Sequence, residues 1–480
     1  MYRRRDMTTS FDLYSGFDSS WKEKLENLLA YGMAAGADLV EIFLERNDSI
    51  GALSEQGRIS NTSSCYSAGA GLRIFSGGKD SFFSTNDLST AGLRYALTKA
   101  LNMVGLTTPD QNFSRFEGLS DLVDHGEMKM DWLDDSPSLS MGAQLILQAS
   151  SHISQHSSHV HVWKGSFARS WQEIMVAASD GTFARDIRLH QSTGLHVILT
   201  DRHYSSSMGR RYGTANYPED MYNWDSEASA EDLCNSAASM LYAKPVEGGQ
   251  MPIIMSNRFG GVIFHEACGH LLETTQLERG TTPFADSIGN RIAHTAVTAI
   301  DEGVSEHAFG TYSIDDEGME PQSTTLIENG ILKQFLSDRS GALLTGHPRT
   351  GSGRRQNYSY PAASRMRNTY IAPGPYTPSE LIASVDKGLY CKSMGGGSVS
   401  PNGRFNFSVE EGYEIMNGQI GKPVKGATVG GEASVIMSRI SMCANDLQLA
   451  AGYCGSVSGN ICVTVGQPHI RVDSITVGGS

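Results

Sequence analysis

Two histidines five residues apart in an apolar stretch, His265 and His270, are the feature of this sequence that most constrains its fold. Each residue of an α-helix turns the chain by about 100°, so histidines four apart share a face, whereas histidines five apart diverge by about 140°. Both side chains can therefore reach one metal ion only if the helix is distorted. A one-residue π-bulge is the simplest distortion, and Gly269 tolerates it at the least steric cost. The spacing predicts a kinked or bulged helix from about Asn257 to Leu272.

Glu266 directly follows the first histidine and gives the segment its chemistry. Neutral imidazoles are good Zn²⁺ ligands, and a neighbouring carboxylate can accept a proton from a water molecule that the metal activates. The His-Glu-x-x-x-His segment therefore indicates metal-assisted hydrolysis. A short motif of this kind also arises by chance, and its histidines are then ordinary core or surface side chains. A third metal ligand would distinguish the two cases, but the periodicity of the sequence does not identify one.

Length, charge and cysteine content limit the classes of protein to which this chain can belong. The chain has 480 residues, more than a single core usually spans, so two domains are expected. Its net charge of -14 argues against a nucleic-acid partner held by phosphate contacts. No apolar run has the length of a membrane helix, and polar residues follow the basic N-terminus, so neither a membrane nor a secretory signal is expected. Seven scattered cysteines do not form a disulfide framework and favour a reducing compartment, the cytoplasm.

The first half of the chain has the pattern of an α+β domain. Helical spacing and strand-like alternation, separated by turn residues, predict these elements in order: a helix at Trp21–Ala34, strands at Asp38–Glu45, Ile50–Leu53, Gly71–Phe75 and Ser81–Ser84, and a helix at Leu88–Val104. Further helices are expected at Met141–Ser154 and Ala230–Leu241, with a second run of strands between them. The order predicts helices packed on an antiparallel sheet.

The second half is Gly-rich and has few helix signals. A composition shift near residue 244 predicts an N-terminal domain at 18–244 and a C-terminal domain at 245–480. One clear helix signal lies at Pro378–Val385, where Thr377 and Glu380 have the spacing of a capping box. We therefore predict a mostly-β, barrel-like C-terminal catalytic domain that carries the His-rich helix.

Short blocks in the second half of the chain also match motifs of a known family. They are Phe264–His270, Ile314–Gly318, Met366–Tyr370, Pro423–Thr428, Val465–Pro468 and Val477–Gly479. Together and in this order they resemble the TldD/PmbA family of metalloproteases, and the resemblance covers nearly the whole chain except about the first fifteen residues. The chain keeps every residue of the metal motif, so it resembles the catalytic, TldD-type branch and not the partner-type branch.

The resemblance implies one Zn²⁺ ion per chain, with His265, His270 and Cys454 as ligands and Glu266 as general base. Three protein ligands and one position left for water are typical of a catalytic zinc site. Two other cysteines compete with Cys454 for this role. Cys268 lies between the histidines, and the resemblance makes it a packing residue. The second competitor, Cys462, lies in an alternating apolar stretch and is expected in a core strand.

The resemblance further implies a substrate class and a partner. The substrate is an extended peptide, either an unfolded segment or a leader-type peptide, cleaved with little selection among side chains. Such a substrate suits strand addition, in which hydrogen bonds to the main chain supply the affinity. A dimer is also implied, either a homodimer or a heterodimer with a relative from the partner-type branch.

Two other classes of function stay open at the level of the sequence. One is a non-catalytic peptide-binding or assembly subunit in which the metal is structural. The other is a thiol-dependent enzyme that uses Cys268 or Cys454. Four charged or polar residues in or beside the matching blocks receive no role: Asp315, Asp316, Arg365 and Asn368. His294 could lie near the site, but a solvated or core histidine is expected.

Overall fold

Long antiparallel strands build the N-terminal half in the computed structural model, which describes residues 16–107, 116–399 and 403–479. The strands are β1 (Leu39–Glu55), β2 (Arg58–Ser76), β3 (Lys79–Thr85), β4 (Val123–Asp124), β5 (Val160–Ala178), β6 (Phe183–Asp201) and β7 (Tyr204–Ala215). The helices are α1 (Lys22–Ala34), α2 (Thr90–Met103), α3 (Trp132–Asp135), α4 (Leu139–His156) and α5 (Ser226–Leu241), with 3₁₀ turns at Ser19–Trp21, Glu127–Lys129 and Pro218–Met221.

These strands form one seven-stranded sheet in the order β3-β2-β1-β5-β6, with β4 and β7 both paired to β6. Helices α1 and α2 pack on one part of the sheet, where Leu25, Leu28 and Leu29 are buried as the helical spacing predicts. Helices α4 and α5 share a second apolar cluster with β6 and β7. The predicted helix and antiparallel-sheet architecture of this half is confirmed.

Strand β2 (Arg58–Ser76) begins well before the strand predicted at Gly71–Phe75. The segments expected as two strands, Asp38–Glu45 and Ile50–Leu53, form the single strand β1. The polar residues between them have the composition of a turn. In the sheet they pair on both sides, with β2 and with β5. Their side chains also find partners: Nδ2 of Asn47 donates to Oγ of Ser170 at 2.7 Å, and Asp48 forms an ion pair with Arg169. Cross-strand contacts that the local sequence does not encode therefore keep this segment extended.

The C-terminal half is built from many shorter strands. They are β8 (Lys244–Pro245), β9 (Gly249–Met255), β10 (Ala299–Glu302), β11 (Ser323–Glu328), β12 (Ile331–Leu332), β13 (Gly353–Arg354), β14 (Ala363–Ser364), β15 (Asn368–Ile371), β16 (Lys387–Val399), β17 (Arg404–Met416), β18 (Gln419–Lys425), β19 (Thr428–Glu432), β20 (Ile440–Cys443), β21 (Gln448–Ser456), β22 (Gly459–Gln467) and β23 (Ile470–Gly478). The helices are α6 (Val262–Ala267), α7 (Thr274–Glu278), α8 (Arg339–Thr345), α9 (Pro378–Ala383) and α10 (Ala433–Ile436), with 3₁₀ turns at Arg258–Gly261, Gly269–Leu272 and Met437–Arg439.

A closed barrel forms the centre of this half. Strands β16, β9, β23, β19 and β17 pair in that order, and the pairing of β16 with β17 closes the ring. A second sheet, in the order β12-β11-β10-β15-β22-β21, lies beside it, with β21 at its edge. Helix α9 starts with the predicted capping box between Thr377 and Glu380. The predicted α+β class, with a barrel-like C-terminal domain, is confirmed.

Buried ion pairs connect the two halves. Arg355 donates to Glu41 at 2.8 Å, Arg188 donates to Asp316 at 2.6 Å, and Arg339 also contacts Glu41. The division at residues 244 and 245 stays a prediction; at that point β8 pairs with β18 of the C-terminal half. Among the described residues, no helix is both long enough and apolar enough to cross a membrane.

Candidate metal centre

The His-rich segment is a broken helix made of three short pieces. A 3₁₀ turn at Arg258–Gly261 leads into α6, and a second 3₁₀ turn begins at Gly269. Between them Cys268 leaves the helical region, with φ -134° and ψ -47°. The predicted distortion is therefore present, but the predicted π-bulge is wrong. A break into a new 3₁₀ turn brings the second histidine around to the side of the first.

Gly269 has a different role from the one predicted for it. Its backbone stays outside the left-handed region, so the conformational freedom of glycine is not what the break requires. Instead, a Cβ at this position would collide with Sδ of Met366. Glycine is needed here because the thioether packs directly on the backbone at the break.

Close packing holds the broken helix between the barrel and the second sheet. A Cβ at Gly261 would lie 2.5 Å from backbone atoms of Gly466 in β22, so the start of the helix rests on that strand. Ile263 and Phe264 are fully buried in the same apolar cluster as residues of the barrel. The segment therefore cannot move without disturbing both sheets.

This placement brings three candidate ligands together: His265, His270 and Cys454, whose ligand atoms all lie within 4.8 Å of one another. Sγ of Cys454 is 3.2 Å from Nε2 of His265 and 3.2 Å from Nε2 of His270. Among the described residues this is the one group of three or more histidine, cysteine or acidic side chains with such a spacing. The cysteine comes from β21, 184 residues after the second histidine.

The electrostatics of the group favour a thiolate. Burial alone would raise the pKa of the Cys454 thiol, but charge interactions and hydrogen bonds with His265 and His270 lower it to about 3. Burial would likewise lower the pKa of His270, yet Glu273 and Cys454 raise it well above its ordinary value. The surroundings of Cys454 therefore favour the ionised thiolate, the form in which cysteine binds a metal.

The two imidazoles have unequal surroundings. Nδ1 of His270 lies 3.1 Å from both carboxylate oxygens of Glu273, a residue that is 1% exposed. Nδ1 of His265 is buried and has no hydrogen-bond partner among the described residues. The sequence interpretation did not identify Glu273. Its spacing of three residues from His270 places both on one face of a helical turn, and that signal could have identified it.

Glu266 borders the open side of the group. Its Oε2 lies 4.0 Å from Nε2 of His270, the ring atom that faces Cys454. The side chain of Glu266 is 28% exposed, whereas His265 is 2% exposed. A carboxylate is therefore available beside the ligand atoms and in contact with solvent.

The remaining sequence candidates lie outside this group. Cys268 is in the apolar core, where burial raises the pKa of its thiol to about 12. Cys462 is on β22 opposite Tyr453 and borders a second cavity. His294 accepts a hydrogen bond from the backbone N–H of Ala296.

The unassigned polar residues hold loops of the C-terminal half. Asp315 accepts hydrogen bonds from the backbone N–H groups of Glu317, Met319 and Gly353. Asp316 accepts one from the backbone of Arg355, and the Asn368 carboxamide accepts one from Gly310.

The three residues fit a metal of the zinc type. A tetrahedral zinc ion with Zn–N of about 2.0 Å and Zn–S of about 2.3 Å separates nitrogen from sulfur by about 3.5 Å. The two N–S distances of 3.2 Å are close to that value. Two imidazoles and one thiolate leave a fourth position, which is typical of catalytic sites.

A large cleft runs beside the strand that carries the cysteine. Its volume is about 970 Å³, and it lies between the N-terminal sheet, the barrel and the start of the broken helix. Gln448, Ala450 and Ala451 of β21 form part of its wall. The cleft therefore follows the first half of the strand that leads to Cys454.

Three family models of the PmbA/TldA metallopeptidase match this chain: domain 1 at residues 40–104, the central domain at 133–241 and the C-terminal domain at 248–479. The metalloprotease TldD homolog of Haemophilus influenzae is 31% identical over 465 residues, which are 92% of this chain and 93% of that protein. A zinc metalloprotease TldD homolog of Saccharolobus solfataricus is 34% identical over 234 residues, 48% of this chain and 52% of that protein.

A solved structure agrees with the architecture. TldE from Thermococcus kodakarensis matches with a TM-score of 0.75 and 20% identity, over 95% of this chain and 100% of that chain. At this level of identity the likeness shows the fold alone.

Proposed function

Because the chain belongs to the TldD/PmbA family of metallopeptidases, we propose that it is a zinc-dependent peptidase that hydrolyses extended, unfolded peptides. The observation that supports this most is the convergence of His265, His270 and Cys454 at 3.2 Å contacts, with a partly exposed carboxylate beside them. Zinc is supported by this donor set and by the name of the Saccharolobus relative.

The three ligands would hold one zinc ion per chain. Bound there, the ion would polarise the carbonyl group of the scissile peptide bond and lower the pKa of a water molecule. Cys454 binds as a thiolate, because its pKa of about 3 leaves it ionised at neutral pH. Since a thiolate donates more charge than an imidazole, this ligand set lowers the net positive charge of the site.

Glu266 serves as the general base in this proposal. Its carboxylate accepts a proton from the attacking water at one oxygen and then delivers it to the nitrogen of the leaving amine. Its position supports this role, because Oε2 is 4.0 Å from Nε2 of His270 and the side chain is open to solvent. No second carboxylate is required, since the same group first accepts the proton and then donates it.

The edge strand β21 is our proposal for the substrate-binding strand. Among the described residues it pairs only with β22, so its other edge has free backbone donors and acceptors. An extended peptide that pairs with this edge would follow the wall of the large cleft and reach Cys454. Recognition through the main chain requires an unfolded segment and selects little among side chains.

We also propose a cytoplasmic dimer, formed with a second copy or with a relative of the partner-type branch. The seven cysteines are all free in the structure, which supports a reducing compartment. The exposed fraction of His270 and Glu266 leaves one side of the site open, and a second subunit could cover it.

Metal analysis combined with a peptidase assay tests the proposal. Anomalous scattering at the zinc absorption edge would identify the ion and its ligands in crystals of the full chain. An unfolded, reduced polypeptide should be cleaved, the same substrate in folded form should resist, and a chelator should abolish cleavage until zinc is restored. Cleavage that survives complete removal of metal would contradict the proposal.

The same experiments separate the two alternatives. A thiol peptidase is favoured by one observation, the thiolate of Cys454 between two histidines, which also describes an activated nucleophile. It predicts that the metal-free protein cleaves the substrate and that alkylation stops it. A non-catalytic subunit with a structural metal predicts stoichiometric zinc without any cleavage.

A further inference from the structure

Glu273 is a buried carboxylate that connects one metal ligand to a distant segment of the chain. It is 1% exposed and accepts a hydrogen bond from Nδ1 of His270 at 3.1 Å. Its Oε1 also accepts one from the backbone N–H of Met366, at 3.3 Å. The imidazole can rotate only if this carboxylate moves, and the backbone at Met366 holds the carboxylate in place.

Arg365 makes the corresponding connection to the cysteine ligand. Its guanidinium is fully buried and donates to the carbonyl oxygen of Cys454 at 2.6 Å. It also donates to Oγ of Ser458 at 2.9 Å and to the carbonyl of Gly459 at 3.1 Å. These three partners all lie in the hairpin of β21 and β22, and all of them are neutral. The side chain therefore holds the hairpin by neutral acceptors alone.

The two connections meet in adjacent residues. Arg365 fixes the hairpin that carries Cys454, and the next residue, Met366, fixes Glu273 and through it His270. Sδ of Met366 also packs against Gly269, immediately before His270. The segment thus contacts the supports of both ligands, which are 184 residues apart in the chain.

We propose that Glu273 and Arg365 are positioning residues that set the distance and orientation between His270 and Cys454. This inference rests on the proposed metal site. A hydrogen bond to the second nitrogen of a ligating histidine fixes its ring and tautomer, and loss of such a partner typically lowers metal affinity 10- to 100-fold. Arg365 acts on the other proposed ligand, Cys454, because it donates a hydrogen bond to the backbone carbonyl of that residue.

The test for Glu273 is metal affinity and the spectrum of the cobalt-substituted protein. Glu273→Gln keeps the shape but offers one acceptor oxygen to two donors, so we expect about 10- to 100-fold weaker binding in competition with a chromophoric chelator. The control is Glu278→Gln, which changes a carboxylate on the next helix whose hydrogen-bond partner is Ser340 and not a ligand. The control should bind Co²⁺ and Zn²⁺ like the unaltered protein.

Arg365→Lys tests the second connection, with Arg367→Lys as its matched control. Both arginines are fully buried, but Arg367 pairs with Asp301 and with backbone carbonyls away from the hairpin. We expect Arg365→Lys to change the thiolate-to-cobalt absorption of the Co²⁺ protein, because the sulfur moves relative to the imidazoles. Arg367→Lys should lower the unfolding temperature and leave that absorption unchanged. If Arg365→Lys does not fold, Ser458→Ala removes one of its hairpin partners and is measured instead.

The outcomes keep this inference separate from the proposed function. If the unaltered protein binds no stoichiometric metal, the proposed site itself is wrong. If it binds metal but Glu273→Gln and the Arg365 variant match their controls in affinity and spectrum, the positioning roles are wrong while the metal site stands.

Discussion

At the scale of single residues, the three proposed ligands differ in what the protein does to their charge. The two histidine neighbours lower the pKa of the Cys454 thiol, and Glu273 and Cys454 raise the pKa of His270, although burial opposes both shifts. Both shifts favour an ion pair between the cysteine thiolate and the imidazolium. A metal ion must compete with the proton on His270 and not with one on Cys454.

This competition predicts the proton balance of metal binding. Burial disfavours the imidazolium, but Glu273 and Cys454 outweigh it and raise the pKa of His270 well above 6.5. Below that raised pKa a proton must leave His270 when the metal binds, so affinity should increase with pH until the pKa is passed. Calorimetry at pH 7 in two buffers of different protonation enthalpy should report release of about one proton per metal. Absence of any proton release would contradict the assignment.

A substitution of Glu266 tests its proposed role as the general base. Glu266→Gln keeps the size of the side chain but removes its ability to accept a proton. We expect the rate of cleavage to fall by about 10²- to 10⁴-fold, while the zinc content stays at that of the unaltered protein. The measurement pairs a peptidase assay with metal analysis on the same sample. Retained activity in a preparation free of other proteases would exclude this role for Glu266.

At the scale of secondary-structure elements, the sequence predicted those elements that neighbouring residues stabilise by capping or by apolar spacing. Helix α9 follows from the capping box at Thr377 and Glu380, α1 follows from its apolar spacing, and α2 begins after Ser89, whose side chain caps it. The polar middle of β1 was predicted as a turn, because its extended form depends on partners in β2 and β5. The predicted π-bulge in the His-rich helix was also wrong, since a packing contact between Met366 and Gly269 shapes the break.

Gly269→Ala tests that packing contact. The added methyl group would overlap Sδ of Met366, so we expect a loss of about 1–3 kcal/mol in unfolding free energy and weaker metal binding. The double variant with Met366→Ala should recover part of the metal affinity, because it removes the overlapping atoms. Thermal unfolding and chelator competition measure the two effects. Gly396→Ala, where no atom lies within 4 Å of the added carbon, is the control.

At the scale of the whole molecule, the sequence predicted the residues of the candidate site but not how they are held together. The motif gave His265, His270 and Glu266, while the resemblance alone implied Cys454. Glu273 had a recognisable sequence signal, its spacing of three residues from His270. Arg365 had none, because its contact with the β21–β22 hairpin depends on how segments about 90 residues apart pack, and that packing has no local signature.

The buried contact between the two halves predicts how stability depends on pH. Burial raises the pKa of Glu45 to about 7, although hydrogen bonds from Gln172 and from the backbone of Tyr358 oppose this. The unfolded carboxyl has a pKa near 4.5, so this contribution to stability is fully present below that pH and is lost as the pH rises from about 4.5 through 7. The full effect is about 3 kcal/mol.

The measurement is the unfolding temperature between pH 5 and pH 8. Glu45→Gln cannot ionise, so its unfolding temperature should fall less over this range than that of the unaltered protein. Glu23→Gln, a change at an exposed position, should follow the unaltered protein. Equal slopes for all three proteins would contradict the effect of Glu45.

The distance in the chain between the histidines and the cysteine has a consequence for biosynthesis. A ribosome makes Glu266 and both histidines long before it makes β21, which supplies the thiolate 184 residues later. Because domains fold as they emerge, the first part of the nascent chain can be structured while its site still lacks one ligand. If Cys454 is the third ligand, as proposed, metal-dependent hydrolysis cannot begin until the hairpin of β21 and β22 has closed, so the order of translation itself delays the onset of activity.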